Sequence, residues 1–449
     1  MDTRPASQTR RLTATLLALA ALAGAPTAGQ AMDLTQAYQE ALAIDPVVAG
    51  ALAQLNATRE KVPQARAGLL PSLTGNATVN RQAVDTNLAP RREFTTQNYS
   101  VNLSYPLYRM QNVETFEQSK LQVAVGEAQL AQAQSDLIVR VAQAYFDVLA
   151  AQDSLATIRA QKTAITEQLA SAKRNFEVGT ATITDQQEAQ SRFDLSVAQE
   201  LAAMNDLEVK RAALAQLVGK RVPDNLKVLK PGVALQPPEP ARETEWTEGA
   251  RQNNYTVQQA RIAAEIARRE IDKQRFGHRP TLDLISSLGM SKNAAVNFVG
   301  VSSVSAGVGV QLSVPIYNGG AVDSRVREAA ALRDKSTFDL DNARRVAEQS
   351  ARQSFLGVNS GLAQVGALEA AEKSSQLALD SNQLGYQVGV RINIDVLNAQ
   401  QQLFTTRRDL AKARYDVLMN GLRLKATSGA LVPDDLRRID ALLEEGKAQ

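Results

Sequence analysis

Cysteine is absent from all 449 residues, and histidine and tryptophan each occur once. A chain without thiols has no disulfide framework and no N-terminal cysteine to carry a lipid anchor. With His278 the lone imidazole, no histidine or cysteine metal cluster can assemble, and a histidine-based catalytic triad would need that one residue. No other constellation suggests an enzyme or a cofactor. Charge of one sign is also missing: 50 Lys and Arg face 47 Asp and Glu, a balance that argues against a nucleic-acid partner. After residue 31 no stretch stays apolar for the roughly 18 residues that a membrane helix requires. Any crossing of a membrane has to be made by strands.

What is present begins with an export signal. Arg4, Arg10 and Arg11 precede an apolar run over residues 16–22, and Gly29-Gln30-Ala31 offers small residues for cleavage. Residues 1–31 therefore read as a secretory signal peptide, with the mature chain starting at Met32. Its removal takes away three arginines and one aspartate, so the net charge of +3 falls to +1.

The remainder is written twice. Leu70-Pro71-Ser72-Leu73 returns as Arg279-Pro280-Thr281-Leu282, and Pro106-Leu107-Tyr108 as Pro315-Ile316-Tyr317, both 209 residues later. Phe176-Glu177-Val178-Gly179 returns as Tyr386-Gln387-Val388-Gly389 at an offset of 210, and Asp185 as Asp395. Each half is one structural unit, to be read once and applied twice. The boundaries follow: a first repeat over 32–220, a proline-rich linker over 221–245, a second repeat over 246–431, and a short tail of little information over 432–449. The linker is expected on the outer surface, with Trp246 as an anchor where the second repeat's first helix starts.

Within each repeat the predicted order is helix, strand, loop, strand, long helix, tight turn, helix. Single helices are expected from about Leu34 and Trp246 until Pro71 and Pro280 end them. Tyr99, Val101, Leu103, Tyr105 and Leu107 alternate with Ser100, Asn102 and Ser104; Val304 through Ile316 alternate with Ser305, Gly307, Gly309, Gln311 and Ser313. Period-two alternation marks a sheet with one apolar and one small, polar face. Partner strands start at Leu73 and Leu282, giving two hairpins with loops near 81–97 and 291–302. An alanine-rich seam of four and three spacings runs through Leu137, Val141, Ala144, Val148, Ala151 and Leu155 towards Phe176, and recurs after Ala347 and after Val396. Helix over about 112–176 would extend roughly 100 Å at 1.5 Å per residue.

Four strands per chain cannot close a barrel, and an open edge cannot remain in lipid. Three copies would supply twelve strands, an even number within the range of bacterial outer-membrane barrels.

The doubled plan resembles the TolC family of outer-membrane efflux and secretion ducts over about residues 34–431. The motif carrying the likeness is aromatic-x-Val-Gly-x-x-x-x-x-Asp before a helix, at Phe176 to Asp185 and at Tyr386 to Asp395; Pro315 to Gly320 also looks like the family's strand-to-helix signature. The resemblance implies a mainly α-helical homotrimer: a shared 12-stranded transmembrane β-barrel in the outer membrane above a coiled-coil α-barrel across the periplasm. It also implies a periplasmic adaptor and an inner-membrane pump as partners, for multidrug efflux or type I protein secretion.

By the same resemblance, the turns after Phe176 and Tyr386 form the periplasmic tip. Asp395 would put three carboxylates around the axis, drawing cations and rejecting anions. Asn398 stands where the best-known members have a second acid, so cation selectivity should be weaker. Tyr386, Arg391, Thr184 and Asp185 match the family's latch between inner and outer hairpins. Val178, Gly179, Thr180, Val388, Gly389 and Val390 would dock the adaptor. Two plainer roles compete: Asp185 and Asp395 as helix caps, and the glycines as suppliers of positive φ. The alternative for the whole chain is a soluble periplasmic coiled-coil scaffold or adaptor whose hairpins bind a partner and never enter lipid.

Overall fold

The computed structural model describes residues 31–445 apart from 87, 88, 224, 296 and 298; all but the last residue of the expected signal peptide lie outside them. The chain lays out the same elements twice. The first set is α1 (Leu34–Ile44), α2 (Pro46–Arg59), α3 (Lys61–Ala67), β1 (Ser72–Thr86), β2 (Ala89–Tyr108), α4 (Met110–Glu177) and α5 (Ile183–Val218). After β3 (Lys227–Leu229) the second set follows: α6 (Glu243–Asn253), α7 (Tyr255–Arg275), β4 (Thr281–Lys292), β5 (Ser302–Ser313), α8 (Ala321–Gln387) and α9 (Asn393–Thr427). The chain finishes with α10 (Asp434–Asp440) and β6 (Leu443–Glu445).

The opening helix of each repeat is broken, where one continuous helix was expected. Asp45 stops α1 and caps α2, its carboxylate accepting from the amides of Val47 and Val48 at 3.0 and 2.9 Å. Asn254, 209 residues later, does the same between α6 and α7 for the amides of Thr256 and Val257. A side-chain oxygen here outcompetes the helix's own carbonyls for the amides, so the axis turns without an unpaired donor. Arg140 of α4 holds the other oxygen of the buried Asp45 at 3.0 Å.

The four long strands form one antiparallel sheet in the order β1-β2-β4-β5, so the two hairpins meet through β2 and β4. Leu73, Val79, Val101, Leu288, Val304 and Val308 are exposed on one face, the pattern of a wall turned towards hydrocarbon. The first hairpin corrects the expected 81–97 loop: pairing continues to Thr86 opposite Ala89. Its charged residues interrupt the apolar alternation yet pair across the strands, Arg81 reaching Glu93 at 3.0 Å. The second loop falls between Lys292 and Ser302 as expected, but β5 ends at Ser313, and Val314 and Ile316 lie beyond it.

Below the sheet, α4 and α5 form one helical hairpin and α8 and α9 the other. At 68 residues, α4 is about 100 Å long. Most of the predicted seam is buried, including Leu137, Val141, Val148, Leu155, Ile165, Ala172, Ala351, Val358, Leu403 and Leu410. The one charge in it, Lys162, leans out to Glu200 at 2.7 Å. Midway along the shaft the Tyr415 hydroxyl of α9 donates to Asp153 of α4 at 2.7 Å, and the Tyr415 ring stacks on Phe146. Burial pushes the Asp153 carboxyl above the usual carboxylate range, against the hydrogen bond from Tyr415 and the charge of Arg414.

The linker and tail pack on one another and on the first repeat. β3 and β6 pair with one another, and Val222, Leu226, Leu436 and Leu443 are buried in the main core beside Leu34, Tyr145 and Leu149. Tyr145 donates towards the carbonyls of Met32 and Lys227. Asp33 is the N-cap of α1, accepting from the Gln36 amide at 2.8 Å, and Asp440 adds a second clasp, accepting from the amides of Leu34 and Thr35 at 2.9 and 3.0 Å and from the Thr35 hydroxyl. Trp246 is buried against Phe355 and Leu424 and donates to the Pro240 carbonyl at 2.7 Å, the anchor that the sequence suggested.

Two measurements check these contacts. Asp440→Ala removes the second clasp of α1 and is expected to cost about 1–2 kcal/mol, seen as a lower Tm of the purified oligomer; an unchanged Tm would reject the clasp. Because the folded state holds the Asp153 proton more tightly than the unfolded chain does, stability is fully present below the ordinary carboxylate value and falls as pH rises above about 4. Asp153→Asn is expected to flatten that slope in thermal melts taken across acidic pH.

Candidate functional site at the helical tips

The two helix-to-helix turns share one backbone geometry because both end on a glycine in the left-handed region. Gly179 has φ 79° and Gly389 φ 80°. In the first turn the amides of Thr180 and Ala181 both return to the Asn175 carbonyl, at 2.8 and 3.1 Å. In the second the amides of Val390 and Arg391 return to Gly385, at 2.8 and 3.0 Å. A side chain at either glycine would be strained, so the glycines have a conformational reason to be there. Around them Val178, Val388 and Val390 stand 72, 66 and 78% exposed, apolar surface at the outermost point of each hairpin.

One residue after the turns the copies diverge. Thr182 begins α5 with a capping box: its hydroxyl accepts from the Asp185 amide at 3.2 Å, and the Asp185 carboxylate accepts from the Thr182 amide and hydroxyl at 3.0 and 2.7 Å. At the matching position α9 begins with Ile392, which has no hydroxyl, and no side-chain cap forms. Among the described residues Asp395 is thereby left with one charged partner, Arg391 at 3.7 Å on its own hairpin, and its side chain stays about one-third exposed. The same aspartate in the repeat is a cap in one copy and an available carboxylate in the other.

The hairpins are joined by polar links. Asn175 donates to the Tyr386 hydroxyl at 3.1 Å. Asn393, buried to 1% exposure, donates to the Asp185 carbonyl at 3.1 Å and accepts from Gln168. Arg192 of α5 donates to Asn398 at 3.1 Å, and Gln161 of α4 to Gln401 at 2.8 Å. Of the four residues expected to latch the tip, Tyr386 bridges by its side chain and Asp185 by its backbone carbonyl. Arg391 pairs within its own hairpin, and Thr184 is exposed without a side-chain hydrogen bond among the described residues. Asn393 and Arg192 were missed: their positions in the other copy are Ile183 and Gln402, so the repeat gave no signal. His278 lies far from the tip, at the helix-to-strand joint, with Asp323 at 3.1 Å.

A sheet with one apolar face, set on a long helical shaft that ends in paired turns, defines one stave of a channel wall. The outer membrane efflux protein family model matches residues 37–220 and again 246–430, once in each repeat. Outer membrane protein TolC of Vibrio cholerae is 33% identical over 96% of this chain and 98% of its own. Alkaline protease secretion protein AprF of Pseudomonas aeruginosa is 31% identical over 93% of this chain and 88% of its own. The crystal structure of the outer membrane protein VceC from Vibrio cholerae superposes with a TM-score of 0.77 at 18% identity, covering 88% of this chain and 96% of that one. The chain belongs to the outer membrane efflux protein family, and it shares the fold of these channels.

The divergent cap can be tested directly. Ile392→Thr supplies the missing hydroxyl and is expected to stabilise the start of α9 by about 1 kcal/mol. It should also draw the Asp395 carboxylate into a cap. A raised Tm together with a lower cation permeability in planar bilayers is the expected pair of results; a raised Tm with unchanged permeability would show that Asp395 does not face the conduction path.

Proposed function

We propose that three copies of this chain close into a passive exit duct through the outer membrane, serving an inner-membrane pump through a periplasmic adaptor. One observation carries the reading: the four-stranded sheet has an exposed apolar face and ends on two open edges, β1 and β5. In hydrocarbon each edge would leave a row of unpaired N–H and C=O groups, a cost that only closure removes. Three copies give twelve strands and bring three helical shafts into one tunnel. The relatives named for protease secretion and for efflux both support an exit duct. What the duct carries is then set by the pump.

At the far end of the tunnel, Asp395 and Asn398 border the aperture, and the polar links across the hairpins hold it narrow. Tyr386, Asn393 and the Asp185 carbonyl are the latch within each subunit, with Arg391 holding Asp395 in place. The exposed valines around Gly179, Thr180 and Gly389 supply an apolar docking surface for the adaptor. The soluble scaffold loses ground, because it leaves the exposed valines and leucines of the sheet without a solvent that suits them.

The test is electrical. The purified trimer in planar bilayers is expected to conduct, and Tyr386→Phe with Asn393→Ala should raise single-channel conductance severalfold by releasing the inner hairpin. Unchanged conductance in a correctly assembled trimer would reject the latch. A mature chain that is a stable monomer in detergent-free buffer would reject the duct altogether.

A further inference from the structure

We infer that Arg192 sets the ion selectivity of the aperture by placing a fixed positive charge where the channel narrows; the inference rests on the reading of the tip as that aperture. A groove of about 500 Å³ opens between α8 and α9, lined by Ser374, Asn382, Arg391, Asp395 and Asn398 together with Ala399. Arg192 belongs to the other hairpin, but its guanidinium donates to the Asn398 side-chain oxygen at 3.1 Å. Arg192 does not itself line the groove; it is tied to Asn398, a neutral residue that does. Among the described residues no carboxylate pairs with it, Glu188 one turn earlier on α5 included. Arg391, by contrast, faces Asp395 at 3.7 Å and offsets that carboxylate.

The groove lining carries one negative charge, Asp395, and one positive, Arg391; Arg192, hydrogen-bonded to the lining residue Asn398, adds a second positive charge beside them. Three subunits around one axis triple any such imbalance. Asparagine at 398 matters for a second reason: a carboxylate there would form an ion pair with Arg192 and cancel it, whereas the amide orients the guanidinium and leaves its charge intact. The aperture that results is poised for anionic as well as cationic solutes, instead of repelling anions as a bare ring of Asp395 carboxylates would.

Reversal potentials of the reconstituted trimer under a KCl gradient test this. Arg192→Gln should raise the ratio of potassium to chloride permeability by about tenfold at low salt, with a smaller change near 1 M salt where charges are screened. Arg192→Lys should keep the parental ratio, which separates the charge from the tether, because loosening the tip alone alters conductance without reversing selectivity. Asn398→Asp should shift the ratio in the same direction as Arg192→Gln. If Asp395→Ala moves the ratio and Arg192→Gln does not, the role of Arg192 is overturned while the aperture stands. If neither moves it, the narrowing lies elsewhere and both readings fall.

Discussion

A backbone amide in hydrocarbon has no water to turn to, and that requirement governs this molecule from end to end. Each chain supplies a sheet of four strands, enough for a wall and too little for a ring. The sheet needs neighbouring copies to complete its hydrogen bonding, and the shafts hanging below are thereby gathered around one axis. Aqueous burial stabilises the shaft: alanine-rich seams bring helices close along their length, and one larger core at mid-body ties the first repeat to linker and tail. The upper part depends on pairing between chains, and the lower part on packing within each chain.

Duplication gave the two halves a common scaffold and freed one of them to change. Thr182 and Ile392 occupy matching places, yet only the threonine closes a capping box, so Asp185 is consumed by local structure while Asp395 remains available. The absence of one hydroxyl costs the second helix an N-terminal bond and leaves a carboxylate on the wall of the groove between α8 and α9. Asn393 shows the same asymmetry, since its counterpart Ile183 cannot make the links by which the amide joins both hairpins.

Much of the fold was legible in the sequence because repetition doubled every signal. The hairpins, the long helices, the turns at Gly179 and Gly389 and the family itself could all be read from spacing and motif. The features that escaped have physical reasons. Charged pairs such as Arg81 with Glu93 hide the outer half of the first hairpin from a search for apolar alternation. The helix breaks at Asp45 and Asn254 sit within continuous helical periodicity, although Asp followed by Pro46 was a local cue. At the tip, Tyr386 and Asp395 were visible as motif positions, but Asn393 and Arg192 act through partners more than two hundred residues away. Only the packing of one hairpin on the other brings those partners into reach.

The bond between Asp440 and the start of α1 spans 406 residues of sequence. Asp33 caps the helix locally through the Gln36 amide, but the amides of Leu34 and Thr35 wait for a carboxylate that follows them by some four hundred residues. Contacts of such separation close late, after the loop entropy between them has been overcome. The mid-body is therefore fastened by one of the longest-range contacts in the fold: a chain lacking Asp440 keeps the Asp33 cap but leaves the first two amides of its leading helix without their carboxylate.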